Sequence, residues 1–386
     1  MPSHKIYISD YDCLSPAGQG PDLLMKNLFA GRSLLHSHPD PLGKFPHSID
    51  EKIAALRLDK SFKDQDKTSL SALLVARRIS ALWDDDSRKR TGVILGSSRG
   101  PTETLENAWK RHHEGQRLSP TTSPSTTASA LPSVVARDLR LEGPSLALSA
   151  ACSTGLYAII QGASNLISHL SHSLIVGGVE AANTSFTLDM LKASRVLAPA
   201  NATLFPCRPG HPERAGMVLS EGAALLHIET IRRSDSKAEI VGWGAATESA
   251  TLTGVSPNGD ALQRAVKNAL AIAGVDSCDV DFIVGHGAGT FKGDAAELEA
   301  YKAVFEKTPP LVWHKWCSGH MLGASAALSV MLTCEHLKTG QLPPHPYMPE
   351  DHPMRAARTL KEPKVALISS MGFGGSACAL VVKTLV

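Results

Sequence analysis

The sequence predicts an α/β fold, and three observations carry the prediction. Short apolar runs with strand character alternate along the chain with stretches of helical period. Apolar residues make up 43% and charged residues 20%, with 31 Gly and 24 Pro in 386 residues, the balance of ordinary globular domains and not of disordered or fibrous chains. From Ala238 the order of elements starts again, and a second small-residue helix after a glycine-serine turn resembles one in the first half, as an internal duplication would give. The reading divides the chain into halves at 1–235 and 236–386.

Taken in order, KIYISDYDCLSPAGQGPDLLMKNLFAG (5–31) reads as strand, glycine-containing loop and helix. Residues 36–68 mix Pro, His, Lys and Asp with weak periodicity and read as a surface excursion. A helix follows over 68–82, then TGVILGSSRG (91–100), a buried strand ending in a turn. By composition alone SPTTSPSTTASALPS (119–133) is a linker. LALSAACSTGLYAIIQGASNL (146–166) begins as a buried strand, turns through Ser149, Ala150 and Ala151, and continues from Ser153 as a helix. That helix is apolar nearly all round, so it is expected to be buried on every side.

SLIVGGVEAANT (173–184) gives a strand and turn, and GMVLSEGAALLHIE (216–229) another apolar strand. The second half runs through strand AEIVGWGAAT (238–247), helix GDALQRAVKNALAIAGV (259–275), strand VDFIVGHG (280–287), a helix, and the small-residue helix opening at CSGHMLGASAALSVML (317–332).

A formal charge of +2 with basic clusters interrupted by acids, as in DDDSRKR (84–90), points away from nucleic acid. Seven cysteines form no C-x-x-C pair and leave an odd number, so neither a disulfide framework nor a zinc site is expected. No stretch reaches the roughly 18 apolar residues of a membrane span, and no long apolar segment opens the chain. The expectation is a cytoplasmic enzyme without metal or cofactor.

Cys152 falls at the strand-to-helix turn, where unpaired N–H groups and the helix dipole favour thiolate over a thiol whose ordinary pKa is about 8.5. Downstream, VGHGAGTFKGDAAELEA (284–300) and HKWCSGHMLGASAALS (314–329) each set a histidine among glycines, and SSMGFGGSACALVV (369–382) is a third glycine-rich turn. Together the four sites resemble the signature set of the β-ketoacyl synthases, the decarboxylating Cys-His-His condensing enzymes of the thiolase-like superfamily, of the elongating type found in type II fatty-acid and polyketide synthesis.

The resemblance implies two βαβαβαββ halves layered α-β-α-β-α. It implies decarboxylative Claisen condensation of an acyl thioester on Cys152 with a malonyl carrier-protein thioester, in fatty-acid or type II polyketide-like biosynthesis, and the departures given below point to a specialised pathway. Beside the resemblance, the linker-like run 119–133 is expected to be an ordered loop leading into a helix next to the active site. Cys152 matches the acyl-accepting cysteine, and the backbone N–H groups of Cys152 and Phe373 match the oxyanion donors, with Gly374 beside Phe373. His286 and His320 match the two histidines that would stabilise the enolate oxygen as neutral N–H donors. Lys315, five residues before His320, matches a lysine that organises the site, and Glu297, eleven after His286, a carboxylate expected to pair with it. Thr290 is retained near the malonyl position. Cys317 matches no nucleophile and is expected to be a packed side chain.

The chain departs from the family at Ala288, where a threonine is usual, at CRPGH (207–211), and at Ala377 after Ser376, where an asparagine is usual. Arg208, Arg214 and Glu221 are kept. The implied partner is an acidic acyl carrier protein, with Lys63, Lys67, Arg117 and Arg195 at the matching docking positions and Asp66 where a basic residue is common. A dimer is implied, with an identical protomer or with a second ketosynthase-like subunit, and the apolar strand 172–181 is the candidate interface edge. The alternative role is a non-condensing partner of the chain-length-factor type, which typically lacks the cysteine.

Overall fold

The computed structural model describes residues 5–36, 40–200, 204–248 and 254–385. Its strands are β1 (Ile6–Ser15), β2 (Thr91–Gly96), β3 (Ser145–Leu148), β4 (Ser173–Glu180) and β5 (Gly222–Glu229), then β6 (Ala238–Thr247), β7 (Phe282–Val284), β8 (Leu311–Val312), β9 (Val365–Gly372) and β10 (Ser376–Lys383). The first five lie in the order β3-β2-β4-β5-β1 and the second five in the order β8-β7-β9-β10-β6. Both sets use parallel pairing up to β4 or β9 and antiparallel pairing beyond. The restart at Ala238 is therefore a duplication of topology. The two sets meet where β1 pairs antiparallel with β6, Ile6 opposite Ile240.

Helices α1 (Lys67–Ile79) and α2 (Ala130–Leu139) cover one face of the first set, and α4 (Asp260–Ala273) with α5 (Phe291–Val304) flanks the second. Between the sets lie α3 (Thr154–Ile167) and α6 (Ser325–Thr339), which touch each other and strands of both. Five layers, α-β-α-β-α, result, the architecture of the thiolase-like fold. The chemistry sits in the middle layer because α3 follows Cys152 and α6 follows His320.

Burial explains which element goes where. All eight residues of β4 are buried, as a strand covered on both faces requires. On α4, Ala261, Leu262, Ala265, Val266, Ala269 and Leu270 repeat at helical spacing and form its inner face, and Gly274 ends the helix in the left-handed conformation. Three expectations change here. Strand 172–181 is no edge: β4 lies between β2 and β5, and the open edge of this half is β3, whose Leu146 is 43% exposed. Helix α3 is not buried all round, since Gln161, Ser164 and Ile167 face outward and Tyr157 and Ile160 are half-buried. The segment 36–68 is no mere excursion, because Phe45, Ile49, Ile53 and Phe62 enter a core cluster with α1.

Residues 119–133 are ordered, with a short helix at Thr122–Ser125 before α2. They do not line the Cys152 cavity. No described helix is long and apolar enough to cross a membrane.

Candidate active site

The turn between β3 and α3 is held in an uncommon conformation. Ala151 has φ +48°, a left-handed value that costs a residue with a side chain about 1–3 kcal/mol. Its carbonyl accepts from Thr154 Oγ1 at 2.6 Å and from Ser98 Oγ at 2.6 Å, while the Ala150 N–H donates to Thr154 Oγ1 at 2.7 Å. Cys152 follows, and its own carbonyl accepts from Ser370 Oγ on β9 at 3.2 Å, which ties the nucleophile turn to the second half.

Burial pushes the Cys152 thiol up to about 11, against the pull of Lys315. The carboxylate of Glu180 pushes the same way as burial, and the backbone N–H groups of Phe373 and Cys152, directed at the sulfur, oppose it. The expectation of a resting thiolate is thereby corrected: desolvation outweighs the stabilising groups. The two N–H groups expected at the oxyanion both favour the thiolate form of Cys152. Phe373 opens the β9–β10 turn, in which Gly374 and Gly375 have φ +81° and +76°.

His286 leaves the end of β7. Its N–H and that of Gly287 donate to the carboxylate of Glu297, the second at 2.8 Å, and Lys315 Nζ donates to the His286 carbonyl. Tyr301 Oη also donates to Glu297, at 2.7 Å. The expected Lys315–Glu297 ion pair is not formed. The two side chains instead grip opposite ends of the His286 backbone, because the carboxylate is already filled by N–H and O–H donors. Lys315 lies behind the site and outside the cavity lining, and burial lowers its pKa.

His320 is placed by backbone pairing, its N–H donating to Val218 O at 2.7 Å and its carbonyl accepting from Ser220 N–H at 3.0 Å. Its Nδ1 accepts from the Leu322 N–H at 3.0 Å, which leaves the imidazole proton on Nε2. Burial holds both imidazoles well below the usual histidine range, with Lys315 adding to the effect, so each is neutral. The rings lie 5.3 Å apart at 73°.

A cavity of about 520 Å³ is lined by Cys152, His286, His320, Phe373 and Thr290, with Arg195 and Arg214 also in its wall. Ala288 belongs to an apolar cluster with Cys152, Met217 and Leu322, so the wall is apolar where the family's hydroxyl would stand. Gly210, another departure, lies against Trp313, whose ring would sit 2.5 Å from an added Cβ. Cys317 is fully buried.

The docking candidates do not share one place. Lys63 lines a separate depression with Arg57 and Arg111, and Arg117 is exposed beside Leu118 of the same depression. Lys67 is engaged within the fold, its ammonium bridging Asp50 at 2.8 Å and Glu221 at 2.7 Å and lying over the Phe45 ring. Sequence reasoning passed over Ser98, Thr154, Ser370 and Glu180. Glu180 had a visible signal, a lone carboxylate closing an otherwise apolar strand.

The sequence profile of the β-ketoacyl synthase N-terminal domain matches residues 3–233, and that of the C-terminal domain matches residues 237–348. The 3-oxoacyl-[acyl-carrier-protein] synthase 2 of Staphylococcus aureus (strain N315) is 30% identical over 345 residues, covering 84% of this chain and 83% of that protein. The synthase of the same name from Vibrio cholerae is 26% identical across 99% of this chain and 100% of that protein. Among solved structures, a β-ketoacyl synthase from Burkholderia phymatum STM815 superimposes with a TM-score of 0.87 at 22% identity, covering 99% of this chain and 100% of that one. With two adjoining family domains matched and a thiolase-like fold around the cysteine and two histidines, the chain belongs to the β-ketoacyl synthase family of acyl-transferring condensing enzymes.

Proposed function

We propose that this chain catalyses decarboxylative Claisen condensation between an acyl group held on Cys152 and a malonyl thioester of an acyl carrier protein. The observation that carries the reading is convergence: the Cys152 sulfur, two backbone N–H groups directed at it and two neutral imidazoles belong to one cavity. In the first half-reaction the Cys152 sulfur attacks the thioester carbon. The carrier thiol leaves with the proton Cys152 gives up, and the N–H groups of Cys152 and Phe373 hold the tetrahedral oxyanion. In the second half-reaction CO2 leaves the malonyl group and His286 and His320 bond the enolate oxygen. The enolate carbon then attacks the acyl carbon and Cys152 is released.

A positive rim suits an acidic carrier, and Arg195 and Lys292 both line the cavity. The dimer is assigned to the β3 edge together with the outward stripe of α3 at Tyr157, Ile160, Ser164 and Ile167. One similar structure is described as the ishigamide ketosynthase/chain length factor, with a TM-score of 0.85 at 23% identity, and a second subunit of that kind is the heteromeric form of the proposal. Seven free thiols suit a reducing cytoplasm.

Intact mass spectrometry after incubation with a panel of acyl carrier protein thioesters tests the reading. The expected result is a mass gain equal to the acyl group, absent in Cys152→Ala. An unmodified wild-type chain across the panel, with and without candidate partner subunits, would favour the non-condensing partner role instead.

A further inference from the structure

Glu180 ends β4 with a fully buried side chain. Its Oε1 accepts from Ser97 Oγ at 2.7 Å and from the Arg99 N–H at 3.1 Å, and its Oε2 accepts from the N–H groups of Ser98 at 2.8 Å and Gly323 at 3.1 Å. Among the described residues it makes no ion pair. Four donors to two oxygens call for a group that only accepts, which an amide of the same shape cannot be.

Each side of this carboxylate leads to the site. Ser97, Ser98 and Arg99 form the turn after β2, and Ser98 Oγ donates to the carbonyl of Ala151, the left-handed residue that aims Cys152. Gly323 adjoins Leu322, which like Ala151 is a non-glycine residue with φ above zero, at +39°, and whose N–H fixes the His320 tautomer. The approach tolerates only bare backbone. A Cβ on Gly178 would lie 2.1 Å from the Gly323 carbonyl oxygen, one on Gly155 2.6 Å from it, and one on Gly323 2.8 Å from the Ser98 nitrogen.

We propose that Glu180 is a positioning residue for acyl transfer, one carboxylate that holds the Cys152 turn of the first half and the His320 turn of the second in register. The assignment rests on the Cys152-centred reading above. Its charge also has a cost at the nucleophile, since it disfavours the thiolate. That cost reports the carboxylate's presence beside the nucleophile, while the His320 tautomer reports its hold on the second turn, which a merely structural residue would not control.

The test is Glu180→Gln in the full-length chain. Acylation of Cys152 by carrier thioesters is expected to slow by about 10²-fold, the size of effect that follows from misplacing an oxyanion donor, with KM little changed. The pH midpoint of Cys152 alkylation by iodoacetamide is expected to move down, because the neighbouring negative charge is gone. The ¹⁵N imidazole signals of His320 are expected to lose their single-tautomer pattern. A folded Glu180→Gln chain with the parental alkylation midpoint and parental His320 signals overturns the proposal.

If that variant does not fold, Ser98→Ala decides, since it removes only one hydroxyl from the relay. Acylation slowed on the order of tenfold at constant KM supports the proposal, and parental acylation overturns it. A wild-type chain that takes up no acyl group would refute the condensing reading itself. The thiol and imidazole measurements, made on Glu180→Gln, would still decide the role of Glu180.

Discussion

At Cys152 burial raises the thiol while Lys315 and two backbone N–H groups pull it down, and burial wins. The turn is thus better built to stabilise an oxyanion than to keep a free thiolate, and the two half-reactions should separate by mutation. His286→Ala and His320→Ala are expected to retain partial acylation of Cys152 and to lose condensation by about 10²–10³-fold each, since enolate stabilisation belongs to the second step. Condensation at the parental rate in both variants would remove the histidines from the mechanism. Lys67 makes the opposite case, a charge whose work is structural. Lys67→Met leaves Glu221, a carboxylate that is 5% exposed, without its cation, and is expected to destabilise the fold by about 3 kcal/mol in urea titrations. Unchanged stability joined to weakened carrier binding would return Lys67 to the docking surface.

Strand identity was legible in the sequence, whereas strand order was not. The run SLIVGGVE is apolar because neighbouring strands and helices cover both its faces, and reading that apolarity as an open edge inverted its meaning. The real edge, SLAL, is four residues long, and its place is set by parallel pairing to β2, a long-range contact that leaves no local trace. The site shows the same division. Cys152, His286 and His320 stood out as reactive side chains in glycine-rich turns, whereas Glu180 showed only as a lone carboxylate closing an apolar strand, and its donors at Ser98 and Gly323 lie far away in sequence and are seen only in the fold. The element-scale prediction follows from the edge. Leu146→Arg adds a charge to the open side of β3, and light scattering is expected to shift from a dimer toward the 40.9 kDa chain. A Leu146→Arg protein that stays dimeric would place the interface elsewhere.

At the scale of the whole molecule, the duplicated strand order draws the small-residue helices α3 and α6 into one central layer. Histidines buried in this layer and elsewhere in the interior are held neutral. Burial holds His286, His314 and His320 well below their ordinary range, and lowers His227, His336 and His345 to about 4. In the unfolded chain the same side chains titrate near 6.5. As pH falls through that value the unfolded state takes up protons that the folded state refuses, so stability present above about 6.5 is lost toward about 4. Each such histidine contributes a slope of about 1.4 kcal/mol per pH unit in that window. Asp294 opposes the trend, since burial raises its carboxyl to about 7 and its share of stability is lost as pH rises. Burial raises the carboxyls of Asp10, Asp12 and Glu180 as well, so four carboxyls stand against the six imidazoles named, and the histidines lead by number. Urea midpoints are therefore expected to fall steeply between pH 7 and pH 5. The slope should be shallower in His227→Phe, which removes one refusing site, whose Nε2 has no hydrogen-bond partner, and keeps a ring against Trp83. A midpoint flat or rising toward acid would show that the unfolded chain gains no net protons there, and that the buried imidazoles do not govern the stability of the fold.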